Sequence, residues 1–376
     1  MCGGQRITVG VLIVNLKRIL HDIGVMGTST DLFDYHLPLE LIAQRSVEPR
    51  DHSRLMVVDR TTGEWEHKRF YQILDELQAG DVLVLNNTKV FRARLEAQVK
   101  GKSVEVFLLR PRGEFWDVLM KPGRNIHVGD RINMGPVLGT VVAKSDVFLV
   151  QFDVSDETLI EYANAHGQIP IPPYVHEAPA NLDQYQTVYA KQMGSVAAPT
   201  AGFHFTQELL SKIHEKGIEI HYVTLHVGVG TFRPMKTQTI EEHEMHAEFV
   251  TITPETAQAI NQAKQEGRRV VAVGTTTVRT LEGVAKMMLK KVHPGEKKSV
   301  DLLPTEGFSG DVNLFITPGF EFKIVDALIT NFHLPKSTLL VLASAFAGRD
   351  RILTAYHEAI RQQYRFFSFG DAMFIR

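Results

Sequence analysis

The sequence predicts an α/β protein: a larger α/β domain, its sheet barrel-like or open, that carries an inserted small β-barrel domain. Three observations predict it. After Asp156, apolar segments of helical period alternate with short apolar strands. Between Val90 and Val154 nearly every segment has strand character and ends in a turn built on glycine or proline. Three loops of unusual composition each follow a strand directly. The implied division assigns 26–89 and 156–376 to the α/β domain and 90–155 to the inserted barrel. Residues 1–25 are expected to be a disordered extension.

The N-terminal run Val9 to Val14 is stopped by Asn15, Lys17 and Arg18, too soon to span a bilayer or serve as a full signal sequence. No membrane association is predicted. Cys2 is the single cysteine, which excludes a disulfide framework and points to a reducing cytoplasm. The Met1-Cys2-Gly3 opening would suit an N-terminal cysteine nucleophile, but the rest of the chain supplies a different site.

In the first α/β segment, Leu37-Pro38 enters a short helix, and 55–58 and 81–85 read as strands. The second strand runs into the polar Asn86-Asn87-Thr88-Lys89. The β segment follows, with strands over 104–108, 116–119 and 147–150. Turns at Pro111-Arg112-Gly113, Lys121-Pro122-Gly123 and Val128-Gly129-Asp130 separate them. Beyond it, Thr206 caps a helix through Lys216, with Leu209, Leu210 and Ile213 on one face and Gly217 as its stop. A strand over 218–227 comes next. Thr253 and Pro254 open a second helix that Gly267 ends. Strands over 270–273 and 324–330 then alternate with helices over 277–289 and 337–347.

Charge is unevenly placed. The formal net charge is only -2 over 376 residues, which excludes a general polyanion binder. Yet Asn86 to Arg131 holds ten basic and five acidic residues, a local +5 against -7 for the rest. A basic module on an acidic protein is either a solvated surface or a dock for polyanions. Lys89, Arg92, Arg94, Lys121 and Arg124 are the candidate contacts to nucleic acid.

Four segments match neither a period of 2 nor one of 3.6: 194–206, 225–232, 273–279 and 330–338. They are rich in glycine, threonine and alanine, and each of the first, second and fourth carries a histidine. If the preceding strands are parallel, the last three loops emerge at the C-terminal edge of one sheet, where α/β proteins bind ligands. Gly274-Thr275-Thr276-Thr277 also leads into a helix N-terminus. The G-x-G-x-x-G spacing of dinucleotide binding is absent, since Gly228 and Gly230 have no third glycine to complete it.

With 16 histidines in the chain, any one has a structural explanation. His204, His226 and His333 stand out because their loops lack apolar bulk. His243 and His246 lie three apart, a spacing that suits acid/base or substrate-binding use better than a metal site with no evident third ligand. These five are the catalytic candidates. Phe203, Gly228, Gly230, Thr231, Thr275, Thr276, Thr277, Arg279 and Lys336 are the substrate-binding candidates.

Tyr185-Gln186-Thr187-Val188-Tyr189-Ala190, the run 194–206, the segment 224–232 and His243 to His246 occur in a specific order. Segments 274–282, 326–340 with Ala345-Phe346-Ala347-Gly348, and 364–373 continue it. In this the chain resembles the S-adenosylmethionine:tRNA ribosyltransferase-isomerases of queuosine biosynthesis, the QueA family. The resemblance runs from about Asp31 to the C-terminus and includes Ser53-Arg54-Leu55 and Asn86-Asn87-Thr88-Lys89-Val90. Residues 1–25 have no counterpart in that pattern, and Arg92 stands where the family often has proline.

The resemblance implies transfer of the ribosyl part of S-adenosylmethionine to 7-aminomethyl-7-deazaguanine at the tRNA wobble position. The ribose is then rearranged to an epoxycyclopentane, with release of adenine and methionine. It implies a cytoplasmic monomer whose partners are tRNA and S-adenosylmethionine, with no prosthetic group and no metal. The sulfonium acidifies the adjacent ribose carbon, and departing adenine benefits from a proton donor, both tasks for histidine or carboxylate. Phe203, Phe205 and Phe232 are placed to face the sulfonium or to pack in the core. Two alternatives remain at this stage. A methyltransferase would release S-adenosylhomocysteine rather than adenine, and a non-catalytic tRNA-binding protein would leave the glycine- and histidine-rich loops without a purpose.

Overall fold

The computed structural model describes residues 27–172, 174–177, 179–228, 234–245, 247–291 and 301–376. The expectation for residues 1–25 lies outside them.

The sheet of the larger unit is open. Its strands are β1 (Arg54–Val58), β2 (Trp65–Arg69) and β3 (Val82–Asn86), with β4 (Thr88–Val90) directly after. The barrel strands follow: β5 (Arg94–Val99), β6 (Lys102–Arg112), β7 (Phe115–Lys121), β8 (Arg131–Asn133), β9 (Leu138–Lys144) and β10 (Phe148–Phe152). The chain then returns through β11 (Gln192–Ser195), β12 (Glu219–Leu225), β13 (Glu248–Ile252), β14 (Val270–Val273), β15 (Phe308–Val312), β16 (Ala327–Asn331) and β17 (Ala372–Ile375). Nine of these form one sheet in the order β15-β13-β12-β3-β14-β16-β17-β1-β2.

The centre of that sheet, β12-β3-β14-β16, is parallel throughout. Its inner strands are apolar runs because both faces are covered. Val82, Val84, Val270, Ala272 and Leu328 face one core with the helices Pro254–Gln265, Thr275–Lys291, Thr338–Ala347 and Arg349–Arg361. Leu83, Leu85, Val271, Val273 and Ile329 face the other, where the helix Gln207–Glu215 supplies Leu209, Leu210 and Ile213. The caps read from sequence at Thr206 and Thr253 are present, each accepting a hydrogen bond from a first-turn backbone N–H. Ser337, expected inside the helix that follows it, Thr338–Ala347, caps it in the same way.

The six barrel strands close in the order β10-β7-β6-β5-β8-β9 around a separate core that includes Val106, Trp116, Ile132 and Val141. Trp116 donates from Nε1 to Asp156 Oδ1 at 2.7 Å, which ties this core to the helix Asp156–His166. An ion pair from Arg110 to Asp311 at 3.0 Å joins the barrel to β15, the edge of the large sheet. The fold class is therefore the one the sequence predicts, in its open-sheet form.

One boundary differs in a way that matters. The helix expected over 277–289 is Thr275–Lys291. Threonine is a weak helix former, so Thr275 and Thr276 read as loop. In fact Gly274, at φ 86°, turns the chain sharply and the helix begins at once.

Candidate functional site

The C-terminal ends of the parallel strands open on one cleft, and all four unusual segments line it. Ala198, Pro199, Thr200 and Ala201 come from the first, Val227 from the second, Gly274 to Thr276 from the third, and Thr330, Asn331 and His333 from the fourth. Leu339, Phe367 and Ser368 complete the wall.

Small residues are required in the first segment by close approach. A Cβ on Gly202 would lie 1.9 Å from the Tyr189 hydroxyl, so this short 3-10 turn, Thr200–His204, packs directly on that phenol. Ser195 stitches the segment to the second one. Its hydroxyl donates to the Ala197 carbonyl at 2.7 Å and accepts from the Val227 N–H at 3.0 Å.

His226 follows β12. Its Nδ1 is 2.8 Å from the Thr88 hydroxyl, and its ring lies over Gly194, where a Cβ would be 3.0 Å from Nε2. Gly194 has φ 139°, a conformation open to glycine and strained for other residues. Burial pushes the imidazole down to about 4, so it is neutral near pH 7. Nε2 has no hydrogen-bond partner among the described residues.

His204 is placed differently. Asn331 donates from Nδ2 to the carbonyls of Phe367 (2.9 Å) and Ser368 (3.3 Å), so its Oδ1 is the acceptor that faces His204 Nε2 at 3.1 Å. The Ser53 hydroxyl, 2.7 Å away, then donates to His204 Nδ1. Both ring nitrogens are used, the side chain is buried, and burial holds it neutral with a pKa lowered to about 4. His204 therefore holds Asn331 and does not line the cleft.

His333 lines the cleft and is also buried. Tyr356 accepts from the His333 backbone N–H at 3.0 Å and donates to Nδ1 at 3.3 Å. That leaves Nε2 as the donor to the Thr330 hydroxyl at 3.1 Å, and burial lowers the pKa to about 3. His243 lies away from the cleft with its ring against Phe315. His246, Gly230, Thr231 and Phe232 lie outside the described residues.

Several substrate-binding candidates are given internal partners. Phe203 stacks on Phe369 and meets Tyr185 edge-on in a small apolar cluster, and Phe205 packs edge-on to Phe70. Thr277 is fully buried and donates to the Val273 carbonyl at 2.7 Å. Arg279 is buried against Glu248 and donates to the Leu314 carbonyl, while Glu248 accepts from the Gly228 N–H at 3.1 Å. Arg279 and Gly228 thus belong to one brace for the loop. Lys336 reaches Asp31 at 2.8 Å and Asp34 at 3.1 Å, away from the cleft. Thr275 and Thr276 do line it.

The model for the family described as "Queuosine biosynthesis protein" matches residues 30–375. The chain belongs to that family. Among solved structures it is similar to the S-adenosylmethionine tRNA ribosyltransferase from Thermotoga maritima. Identity is 38% over 92% of this chain and 100% of that one, with a TM-score of 0.53. Five of the segments that pointed to this family from sequence, 194–206, 224–232, 274–282, 326–340 and 364–373, contribute to the cleft wall.

Sequence reasoning did not single out Ser53, Thr88, Ser195, Thr330, Asn331, Phe367 or Ser368 as site residues. Asn331 had a signal, a polar side chain directly after an apolar strand. Phe367 had none, because its φ of 71° is a property of the folded backbone. The basic candidates are also sorted by the structure. Arg94 pairs with Glu105 at 3.3 Å and lies over the Phe107 ring, and Arg92 donates to the Gly167 carbonyl at 3.4 Å. Lys121 and Arg124 are exposed and Lys89 half-buried.

Proposed function

We propose that this protein transfers the ribosyl moiety of S-adenosylmethionine to 7-aminomethyl-7-deazaguanine at the tRNA wobble position. It then isomerises that ribose, giving epoxyqueuosine-tRNA plus adenine and methionine. The supporting observation is the convergence of the four segments on one cleft, in a chain of the queuosine biosynthesis family. In this reading the protein works in the cytoplasm as a monomer and uses S-adenosylmethionine as substrate. No helix among the described residues is long and apolar enough to cross a membrane.

The chemistry asks for a neutral base near the sulfonium-activated ribose carbon and for a donor to the departing adenine. His226 suits the first task chemically, because its imidazole is neutral and Nε2 is uncommitted; it stands next to Val227, the residue of its loop that lines the cleft. Thr88 at Nδ1 fixes the ring's direction. His333 with Thr330 supplies a hydroxyl on the cleft wall whose proton is not used by the histidine. Exposed cations of the barrel, Lys121 and Arg124, with the half-buried Lys89 of β4, hold tRNA phosphates while the base enters the cleft.

The test is incubation with S-adenosylmethionine and tRNA bearing the 7-deazaguanine precursor, followed by mass spectrometry of the digested nucleosides. Epoxyqueuosine with free adenine supports the reading. S-adenosylhomocysteine with a methylated nucleoside would replace it by a methyltransferase. Within the same assay, His226→Ala is expected to lower turnover about a hundredfold, the scale of a lost general base. Its tRNA affinity should change little, since phosphate contacts dominate that term.

A further inference from the structure

The helix Thr275–Lys291 begins without a side-chain cap, as does Arg349–Arg361 after Gly348, but it is the start of Thr275–Lys291 that lines the cleft. Ser155, Thr206, Thr253 and Ser337 each cap a helix by accepting a backbone N–H. At Thr275–Lys291 the residue before the helix is Gly274, which has no side chain with which to cap. The backbone N–H groups of Thr275, Thr276 and Thr277 have no acceptor among the described residues. All three residues are buried, so water does not freely replace a cap. A buried helix start without acceptors is costly unless something else fills the position.

A second observation points to a ligand. Thr275 is 7% exposed and lines the cleft, yet its hydroxyl has no hydrogen-bond partner among the described residues. Gly274 is required at this turn by its φ of 86°, a backbone conformation that side chains rarely adopt. Backbone donors, a free hydroxyl and the positive end of a 17-residue helix together favour a negative group.

We infer that the N-terminus of this helix, with the Thr275 hydroxyl, binds the carboxylate of the amino-acid half of the sulfonium donor. The inference rests on the reading of S-adenosylmethionine as substrate given above. Two features select a small carboxylate over a phosphodiester. Among the described residues the cleft wall contains no lysine or arginine, whereas sites for polymer phosphates are built on those cations. The described part of the wall, free of fixed positive charge, also tolerates the sulfonium of the same molecule. Neutral donors thus hold the anionic end without repelling the cationic centre.

The test is calorimetric binding of S-adenosylmethionine and of its decarboxylated analogue, which keeps the sulfonium, ribose and adenine. Wild type should prefer the carboxylate form by about tenfold or more, the scale of charge-assisted hydrogen bonds. Thr275→Val should remove most of that preference by weakening only the carboxylate form, and Thr275→Ser should restore it. Equal weakening of both ligands, or an undiminished preference in Thr275→Val, would place the carboxylate elsewhere. If Thr275→Val does not fold, the wild-type comparison still decides, because equal affinities for the two ligands overturn the inference. Wild type that binds neither ligand instead sinks the underlying substrate reading. A Thr275→Val change in the salt dependence of tRNA binding, with donor binding intact, would assign the helix end to an RNA phosphate.

Discussion

In the barrel, Arg94, Lys100, Arg110 and Arg112 each lie within 4.0 Å of a carboxylate, at Glu105, Asp130, Asp117 and again Asp117. At the cleft, the Thr275 hydroxyl and the backbone N–H groups of Thr275, Thr276 and Thr277 have no hydrogen-bond partner among the described residues, nor has Nε2 of His226, the neighbour of the cleft residue Val227. The barrel carries the charge and the cleft is nearly neutral, yet it is the cleft whose polar groups are left available. A segment's net charge therefore says less about binding than which of its polar groups the fold has already used. Exposed pairs contribute little to stability, about 0–1 kcal/mol each. They nonetheless engage cations that a count from sequence treats as available.

The largest expected effect comes from disturbing the support under the cleft. Gly202→Ala puts a Cβ 1.9 Å from the Tyr189 hydroxyl and 2.8 Å from Thr187 Cγ2. Overpacking of this kind costs about 1–3 kcal/mol, and the displaced turn carries Thr200 and Ala201 with it. Turnover should fall more than a hundredfold, with a lower melting temperature. The Tyr189 hydroxyl is buried without a hydrogen-bond partner, so Tyr189→Phe removes the closest clash at little cost. The double variant should recover part of both losses. No recovery would mean that the turn, and not the clash, determines the damage.

An intermediate effect follows from the two fully buried histidines. His204 and His333 have pKa values lowered to about 4 and about 3, against an ordinary 6.5 in the unfolded chain. Their stabilising contribution is complete above pH 6.5. Below it the unfolded state takes up protons that the folded state refuses, and stability falls toward the folded pKa values. Each group contributes about 1.4 kcal/mol per pH unit inside that window. Denaturant midpoints should therefore drop between pH 6.5 and 5, less steeply in His204→Gln. An equal slope in that variant would show that His204 is protonated in the folded protein.

Much of this organisation was legible in the sequence, and the parts that were not share a cause. Period and caps located the helices because residues such as Thr206 and Thr253 act on their own neighbours in the chain. The four cleft segments were legible because close backbone approach demands glycine and alanine wherever it occurs. What each histidine does was not legible. His204 and His226 sit in similar loops, yet one is saturated by Ser53 and Asn331, 151 and 127 residues away, while the other keeps Nε2 open. Those partners are long-range products of the fold. The partners of Arg279 and Lys336 were not legible for the same reason, since their carboxylates, Glu248, Asp31 and Asp34, come from distant segments.

The smallest effect tests the barrel side of the comparison. Lys121→Ala and Arg124→Ala remove exposed cations that have no carboxylate within ion-pair distance among the described residues. Each should lower the slope of log affinity for tRNA against log salt by about 0.7–0.9, the change expected for one lost phosphate contact. Arg94→Ala should leave the slope nearly unchanged. Its guanidinium is held by Glu105 and by the face of Phe107, and Nε is already buried. Its removal frees Glu105, so a small loss of thermal stability is the expected readout instead. A full unit lost from the slope with Arg94→Ala, and none with Lys121→Ala or Arg124→Ala, would reverse the assignment. The tRNA would then lie along the paired face of the barrel, and binding would have to break the Arg94–Glu105 pair to recruit its arginine.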